Sequence, residues 1–297
     1  MQSTTKPPLY RYLCETQLFN NKAVMKKFLF TMIALVGLVV AFSGCVQGNK
    51  HSVSANNGIN SQQEAFYKFL LSAEKRLNGG FSNDIQEKEF YRKFEIDLFH
   101  YVDSVGLFIN WKGVINDIET EEIGNSVALK FTIDVTPPQS NGMMSIRLFA
   151  THLIPKDSLE TDYLYNTVSN IPNYKEVYVD GFIRTKNTDK VYYHSSIRTN
   201  STSSLNPDYN FWVIDISTMR RDDVLSENLT NAIVRSYEYV APLKESYLGN
   251  ISKKEQDART DKLLPAFKEA KSKLNEYEAL YIQRLNTALV YNFMYGE

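Results

Sequence analysis

The spacing of apolar residues changes at Gly106, from the helical period to the alternation typical of β-strands. After this point five runs are rich in β-branched and aromatic residues, and glycine, asparagine or proline bounds them, as expected for short strands. The predicted strands are residues 107–118, 127–135, 144–151, 176–185 and 211–217, with a short hairpin arm at 191–198. A β domain is therefore expected over residues 107–218.

One predicted helix interrupts these strands. Residues 158–171 carry apolar side chains at helical spacing, which places a helix between the third and fourth strands. Five strands with a helix at this position follow the order of the five-stranded Greek-key barrel of the OB fold. Gly113 and Gly181 lie inside strands and indicate bulges or bends where a barrel curls. The predicted fold class is α+β, a five-stranded OB-like β-barrel flanked by N-terminal and C-terminal helical hairpins.

Helical patterns lie on both sides of the β domain. The N-terminal hairpin is predicted over residues 63–106, with Asp84 and Glu87 as a capping box for its second helix. The C-terminal hairpin is predicted over residues 219–297, from a helix at 224–248 and one long final helix that starts near Leu263.

The final helix carries apolar residues at alternating steps of four and three, which gives it a heptad-like seam. The candidate docking residues of this seam are Phe267, Leu274, Tyr277 and Tyr281. Two interpretations remain open. The seam binds a partner or a second copy, or it packs against the other amphipathic helices of the same chain.

Four short motifs accompany the predicted barrel. They are N-W-K-G-V at 110–114, Y-N-T-V-S-N-I at 165–171, V-Y-V-D-G-F at 177–182 and P-D-Y-N-F-W-V-I-D-I at 207–216. They resemble motifs of a loose set of uncharacterised bacterial secreted proteins and lipoproteins with an OB-like domain, although Val168 stands where leucine is usual. The resemblance covers about residues 62–218. Its motifs are structural, so it implies a fold and no activity.

Residues 25–45 have the layout of a secretory signal, with Met25, two lysines, an apolar run over 28–42 and small residues before Cys45. The cysteine after the small residues makes the segment resemble a bacterial lipoprotein signal. That resemblance implies cleavage before Cys45 and lipid on Cys45. The alternative, a transmembrane anchor, fits less well because the run of about 15 residues is shorter than the roughly 20 that span a bilayer.

Two further alternatives concern the N-terminal region. A plain signal peptide would be cut near Ser43 or Gly44, and Phe42 stands where a lipoprotein signal usually has leucine. Residues 1–24 are interpreted as upstream translation before the true start at Met25, the alternative being a long positively charged leader. Residues 45–62 are polar and rich in asparagine, serine and glycine, which favours a flexible tether.

Charge and cysteine content exclude several classes of protein. Five of the 33 basic residues and one of the 34 acidic ones lie in residues 1–44, so the remainder carries a net charge of about −5. A nucleic-acid binder needs lysine and arginine to neutralise phosphates, so nucleic acid is not an expected partner. Cys45 is the only cysteine after residue 44, so no disulfide framework is expected.

The sequence contains no motif that identifies a catalytic site. His51, His100, His152 and His194 lie on different predicted elements, with no zinc-protease spacing. There is no nucleophile elbow and no phosphate-binding loop. We therefore expect no enzyme activity, no cofactor and no metal site.

Five aromatic residues form the candidate ligand face of the barrel, namely Trp111, Tyr178, Tyr192, Tyr193 and Trp212. Barrels of this kind bind oligosaccharides across one face, so these side chains are candidates for a stacking platform. The other interpretation places the two tryptophans in the barrel core. Alternation along the strands leaves both interpretations open.

These patterns together predict a cell-envelope protein held at a membrane surface by lipid on Cys45. The expected function is that of a non-enzymatic module that binds another envelope protein. The alternative is a module that binds oligosaccharide or cell-wall glycan through the barrel face.

Overall fold

The computed structural model describes residues 60–135, 146–186, 190–191, 208–221 and 224–294. These residues belong to two units that divide between Val224 and Leu225. The first unit contains the N-terminal helices and all the described strands, and the second contains the C-terminal helices. The boundary predicted after residue 218 therefore lies close to this division, whereas the N-terminal hairpin belongs to the same unit as the barrel.

The N-terminal unit contains a closed five-stranded barrel. The barrel strands are β1 (Phe108–Ile123), β2 (Ser126–Asp134), β3 (Arg147–Pro155), β4 (Lys175–Ile183) and β7 (Asp208–Ser217), and a separate small sheet pairs β5 (Thr185–Lys186) with β6 (Lys190–Val191). The strand order of the barrel is β1-β2-β3-β7-β4; β3 and β7 pair in parallel, and the other neighbours are antiparallel. The predicted OB-like barrel and its α+β class are confirmed.

Two helices precede the barrel, α1 (Ser61–Asn78) and α2 (Asp84–Val105). The predicted hairpin is therefore present, but the N-cap of its second helix is not the predicted residue. Asn83 caps α2, because its side chain accepts hydrogen bonds from the backbone nitrogens of Ile85 and Gln86 at 3.1 and 3.0 Å. Asp84 is the first helical residue instead of the cap.

A 3₁₀ turn (Lys156–Thr161) and a short helix, α3 (Tyr163–Ser169), connect β3 to β4. The single helix predicted over 158–171 is therefore interrupted. Asp162 ends the first piece and caps the second, where its carboxylate accepts from the Tyr165 nitrogen at 2.9 Å.

Helix α1 completes the barrel wall beside the first half of β1. The pairing of β1 with β2 begins only at Val114, so the backbone of Lys112 has no strand on that side. The buried Gln63 side chain accepts from the Lys112 nitrogen at 2.9 Å and donates to its carbonyl at 2.7 Å. Tyr67 donates to the Val135 carbonyl at 2.5 Å and accepts from Gln63 at 2.7 Å. Two side chains of α1 thus take the place of a neighbouring strand.

The core of this unit combines barrel and helix side chains. Phe66 and Leu70 of α1, and Leu98 of α2, are fully buried in the same cluster as the barrel interior. Gly113 is required there, because a Cβ at this position would lie 2.5 Å from the Ile133 side chain. Gly181 adjoins a bulge in the pairing of β4 with β7, which confirms the bend predicted at that glycine.

The C-terminal unit contains α4 (Glu227–Tyr247), α5 (Lys253–Asp261), α6 (Leu264–Ser272) and α7 (Glu276–Met294). The prediction of one long helix from Leu263 is wrong. Asn275 accepts from the Glu278 nitrogen at 2.9 Å, and the Glu278 carboxylate accepts from the Asn275 nitrogen at 3.1 Å. This reciprocal capping box starts a new helix after α6 has ended.

Candidate functional site

The predicted stacking platform on the barrel is not present in the part of the chain that the structure describes. Trp111 is 0% exposed, and its ring centroid lies 4.2 Å from that of Phe108 and 5.1 Å from that of Phe66. Trp212 and Tyr178 are also buried. Tyr192 and Tyr193 lie outside the described residues. The structure bears out the core interpretation for Trp111, which belongs to the hydrophobic core cluster, whereas Trp212 is buried outside that cluster with the Arg184 guanidinium 5.0 Å from its ring centroid.

The predicted docking seam is not a continuous exposed strip either. Phe267 is buried and stacks on Tyr239 at 4.5 Å between ring centroids, and Tyr281 is buried as well. Leu274 is half-buried. Tyr277 alone among the four residues is exposed, at 39%. The break in the helix before Glu276 explains the difference, because it ends the heptad spacing at that point.

Beside Tyr277, one exposed leucine extends the apolar surface of α7. Leu280 follows Tyr277 by three positions and is 41% exposed, so the two side chains lie on one face about one turn apart. A hydrogen bond to α4 holds the first turn of α7 in place. Ser226, the N-cap of α4, donates to the Glu278 carboxylate at 2.5 Å, which ties the N-terminal ends of α4 and α7 together.

A polar cluster occupies the outer face of β1 and β4. Lys112 forms an ion pair with Glu176 at 2.8 Å, and the Tyr178 hydroxyl donates to Glu176 at 3.1 Å. The hydrogen bond from Lys112 holds the pKa of Glu176 below its usual value. Burial, together with the bond to Glu176, raises the pKa of Tyr178. At neutral pH Glu176 is therefore a carboxylate and Tyr178 a neutral phenol.

Two aspartates meet across β4 and β7. Asp180 and Asp215 are paired in register and are each 1% exposed. Arg221, just after β7, binds Asp180 at 2.6 Å and also binds Asp215. Two carboxylates at such a site repel each other, and the guanidinium between them offsets that repulsion.

The same cluster connects the segment after β7 to β1 through hydrogen bonds. Asn110 lies at a bulge of β1 and has a φ of 56°, the left-handed region. Its backbone nitrogen donates to Asp180 at 2.7 Å, and its side-chain amide donates to the Arg221 carbonyl at 2.8 Å. Both carboxylates thus bind the same guanidinium, so the arrangement is that of a structural ion-pair network and not of a general acid–base pair.

Sequence reasoning missed this network. A signal was present, because Asp215 interrupts the apolar run 211–217 and Asp180 interrupts the run 177–183. A charged residue inside such a run usually has a buried partner. The partner, Arg221, lies beyond the predicted strand, and only the folded structure places it beside the two aspartates.

His152 makes a structural contact. His152 Nε2 lies 3.0 Å from Asp162, the residue that caps α3. Within the described parts of the chain, no three histidine, cysteine, aspartate or glutamate side chains come together to bind a metal ion. Cys45, the predicted lipidation site, lies outside the described residues.

One exposed aromatic residue has an unusual backbone. Tyr174, in the turn before β4, has a φ of 65°, and its side chain is 82% exposed. Its backbone nitrogen donates to the Ile115 carbonyl of β1 at 2.7 Å. Sequence reasoning did not single it out, although the preceding Pro172-Asn173 is a turn signal.

Among the described residues, no helix has both the length and the apolar character needed to cross a membrane. Comparison of the chain with protein-family models, with curated proteins and with solved structures finds no match in any of the three.

Proposed function

We propose that this chain is the body of a lipid-anchored cell-envelope protein that acts by binding another envelope protein and catalyses no reaction. The single observation that carries the proposal is the exposed pair Tyr277 and Leu280 on α7. Exposed apolar side chains that lie together on one helix face mark protein contacts, and tyrosine is enriched among the residues that dominate binding energy.

The face is held in one conformation before any partner arrives. The capping box between Asn275 and Glu278 and the bond from Ser226 to Glu278 fix the first turn of α7. A surface that is already ordered loses less conformational entropy on binding. This supports a docking surface on α7, because a mobile segment would first have to become ordered.

The envelope assignment depends on residues 25–45, whose layout is that of a lipoprotein signal with Cys45 at the cleavage site. The net charge of about −5 after residue 44 supports the same proposal, since it disfavours a nucleic-acid partner. The alternative glycan function loses three of its five assigned residues, because Trp111, Tyr178 and Trp212 are buried.

The test is photo-crosslinking in native membranes, with the crosslinking residue placed separately at Tyr277 and at Leu280. We expect both positions to yield an adduct with the same partner protein. Ile85 on α2 is the matched control, because it is an apolar helix residue that is more exposed than either. It should yield no such adduct.

A second variant makes the result specific. The adduct formed from Leu280 should fall at least about tenfold when Tyr277→Ser is introduced, because truncation of a central tyrosine removes a large part of the binding energy. Adducts that are absent at both positions, or that also form from Ile85, would show that α7 is not the docking surface.

A further inference from the structure

The backbone conformation of Tyr174 is unfavourable, and no packing of its side chain offsets it. L-residues other than glycine, asparagine and aspartate avoid the left-handed region because Cβ approaches the following carbonyl oxygen. Tyr174 adopts this region with a φ of 65° while its ring is 82% exposed. A strained residue that the core does not require suggests a role in binding.

The surroundings of Tyr174 supply polar groups. Its backbone bond to Ile115 places the turn beside Asn116 and Asp117, the next residues of β1. The side-chain oxygen of Asn116 is buried and has no hydrogen-bond partner among the described residues. Asp117 is exposed and has a φ of 54°, a conformation that aspartate tolerates, so its carboxylate is a further polar group at the same end of the barrel.

The adjoining surface of β1 and β4 is partly apolar. Val114 is exposed and lies opposite Glu176 in the strand register, one residue pair away from Ile115 and Lys175. Glu176 in turn binds Lys112 at 2.8 Å. An exposed ring, an exposed valine and a few fixed polar groups thus lie along one outer face of these two strands.

Charges of both signs lie on or near this face. Lys112, Lys175 and Arg220, whose charge acts on the Tyr178 phenol, stand beside Asp117 and Glu176, so the face has no large field of one sign that would attract an anionic polymer. An uncharged ligand with both apolar and hydrogen-bonding faces fits these observations best.

We propose that Tyr174, with Val114, Asn116 and Glu176, forms a binding site for a neutral saccharide. One C–H face of a sugar ring stacks on Tyr174 and extends over Val114. Sugar hydroxyl groups donate to the Glu176 carboxylate and, after rotation of its amide, to Asn116. The site lies on the barrel and does not depend on the proposed protein contact of α7.

The test is calorimetric titration of the purified full chain with neutral tetrasaccharides of glucose and of N-acetylglucosamine. The detergent must have no sugar head group, since such a group would compete. We expect at least one tetrasaccharide to bind. Tyr174→Asn should weaken that binding about tenfold or more, whereas Tyr174→Phe keeps the ring and should bind nearly as the parent does.

Thermal unfolding separates a binding role from a structural one. Asparagine tolerates the left-handed region, so Tyr174→Asn should unfold at the same temperature as the parent or higher. A clear fall in the unfolding temperature of this variant would show that the ring serves folding and would overturn the proposal. So would unchanged saccharide binding by Tyr174→Asn, or the absence of binding by the parent chain.

Discussion

At the scale of single residues, a buried network of charged side chains holds the segment after β7 in place. Asp180 and Asp215 are 1% exposed, and Arg221 binds both. A buried charge is tolerated when it is paired and hydrogen-bonded, and it becomes costly when its partner is removed. The three residues therefore depend on one another, and Asn110 adds two bonds that hold the segment in place.

Replacement of Arg221 tests this dependence. Arg221→Met leaves two buried carboxylates facing each other, so we expect the free energy of unfolding to fall by about 3–5 kcal/mol. Urea unfolding of the full chain measures the loss. The control is Arg92→Met, because Arg92 forms an exposed pair with Glu89 and its removal should leave the free energy of unfolding nearly unchanged. Equal losses in the two variants would contradict the account.

Two tyrosines predict how stability depends on pH. Burial raises the pKa of Tyr101 from 10.0 to about 12, and it raises the pKa of Tyr67 well above its ordinary value. The folded protein holds these phenol protons more tightly than the unfolded chain does. Their contribution is therefore complete below about pH 10. That of Tyr101 is lost as the pH rises from 10 toward 12, and that of Tyr67 is lost over a range that extends higher.

The variant Tyr101→Phe isolates one of these contributions. Between about pH 10 and 12 its free energy of unfolding should fall less steeply than that of the parent chain, because the variant has no Tyr101 hydroxyl to lose a proton in the unfolded state. Below pH 9 the two slopes should coincide, within about the error of urea unfolding. Parallel curves over the whole range would mean that Tyr101 titrates normally.

At the scale of elements, the barrel strands and most helices were predicted, whereas several helix ends and the contacts with distant partners were not. Alternation predicted β1 because this strand buries one face, with Trp111, Gly113 and Ile115, whereas β7 is buried on both faces and was predicted from its β-branched and aromatic residues. The break before α7 was missed because Asn275 and Glu278 fit an amphipathic pattern equally well inside a helix and at its start. Their mutual hydrogen bonds decide between the two.

The same limit explains what was missed at the candidate sites. An alternating pattern does not say which face of a strand another element covers, so Tyr178 was taken as exposed although it is buried. Tyr174 lies in a turn, where no period applies. Its significance comes from its backbone conformation and its exposure, which only the structure shows.

Helix α1 makes a testable contribution to the barrel wall. Gln63 is fully buried and bonds to both backbone groups of Lys112. Gln63→Ala leaves those groups without that partner, so we expect a loss of about 2–3 kcal/mol in the free energy of unfolding. Gln283→Ala on α7 is the control, since this glutamine is exposed and should cost about 0.5 kcal/mol or less. A comparable loss in both variants would show that α1 is not part of the wall.

At the scale of the whole molecule, each unit carries a separate proposed contact. The barrel unit presents Tyr174 beside β1 and β4, and the C-terminal unit presents Tyr277 and Leu280 on α7. Both proposals share one premise, which is that lipid on Cys45 keeps the chain at an envelope membrane. That premise is the central claim, because it decides which proteins and saccharides the two surfaces can meet.

The measurement that tests this claim most directly is the intact mass of the protein extracted from cell membranes. The account predicts a chain that begins at Cys45 and carries the added mass of lipid on that residue. Cys45→Ser should lose both the lipid and the membrane association. A parent chain that begins upstream of Cys45, or one that begins there without lipid, would contradict the account.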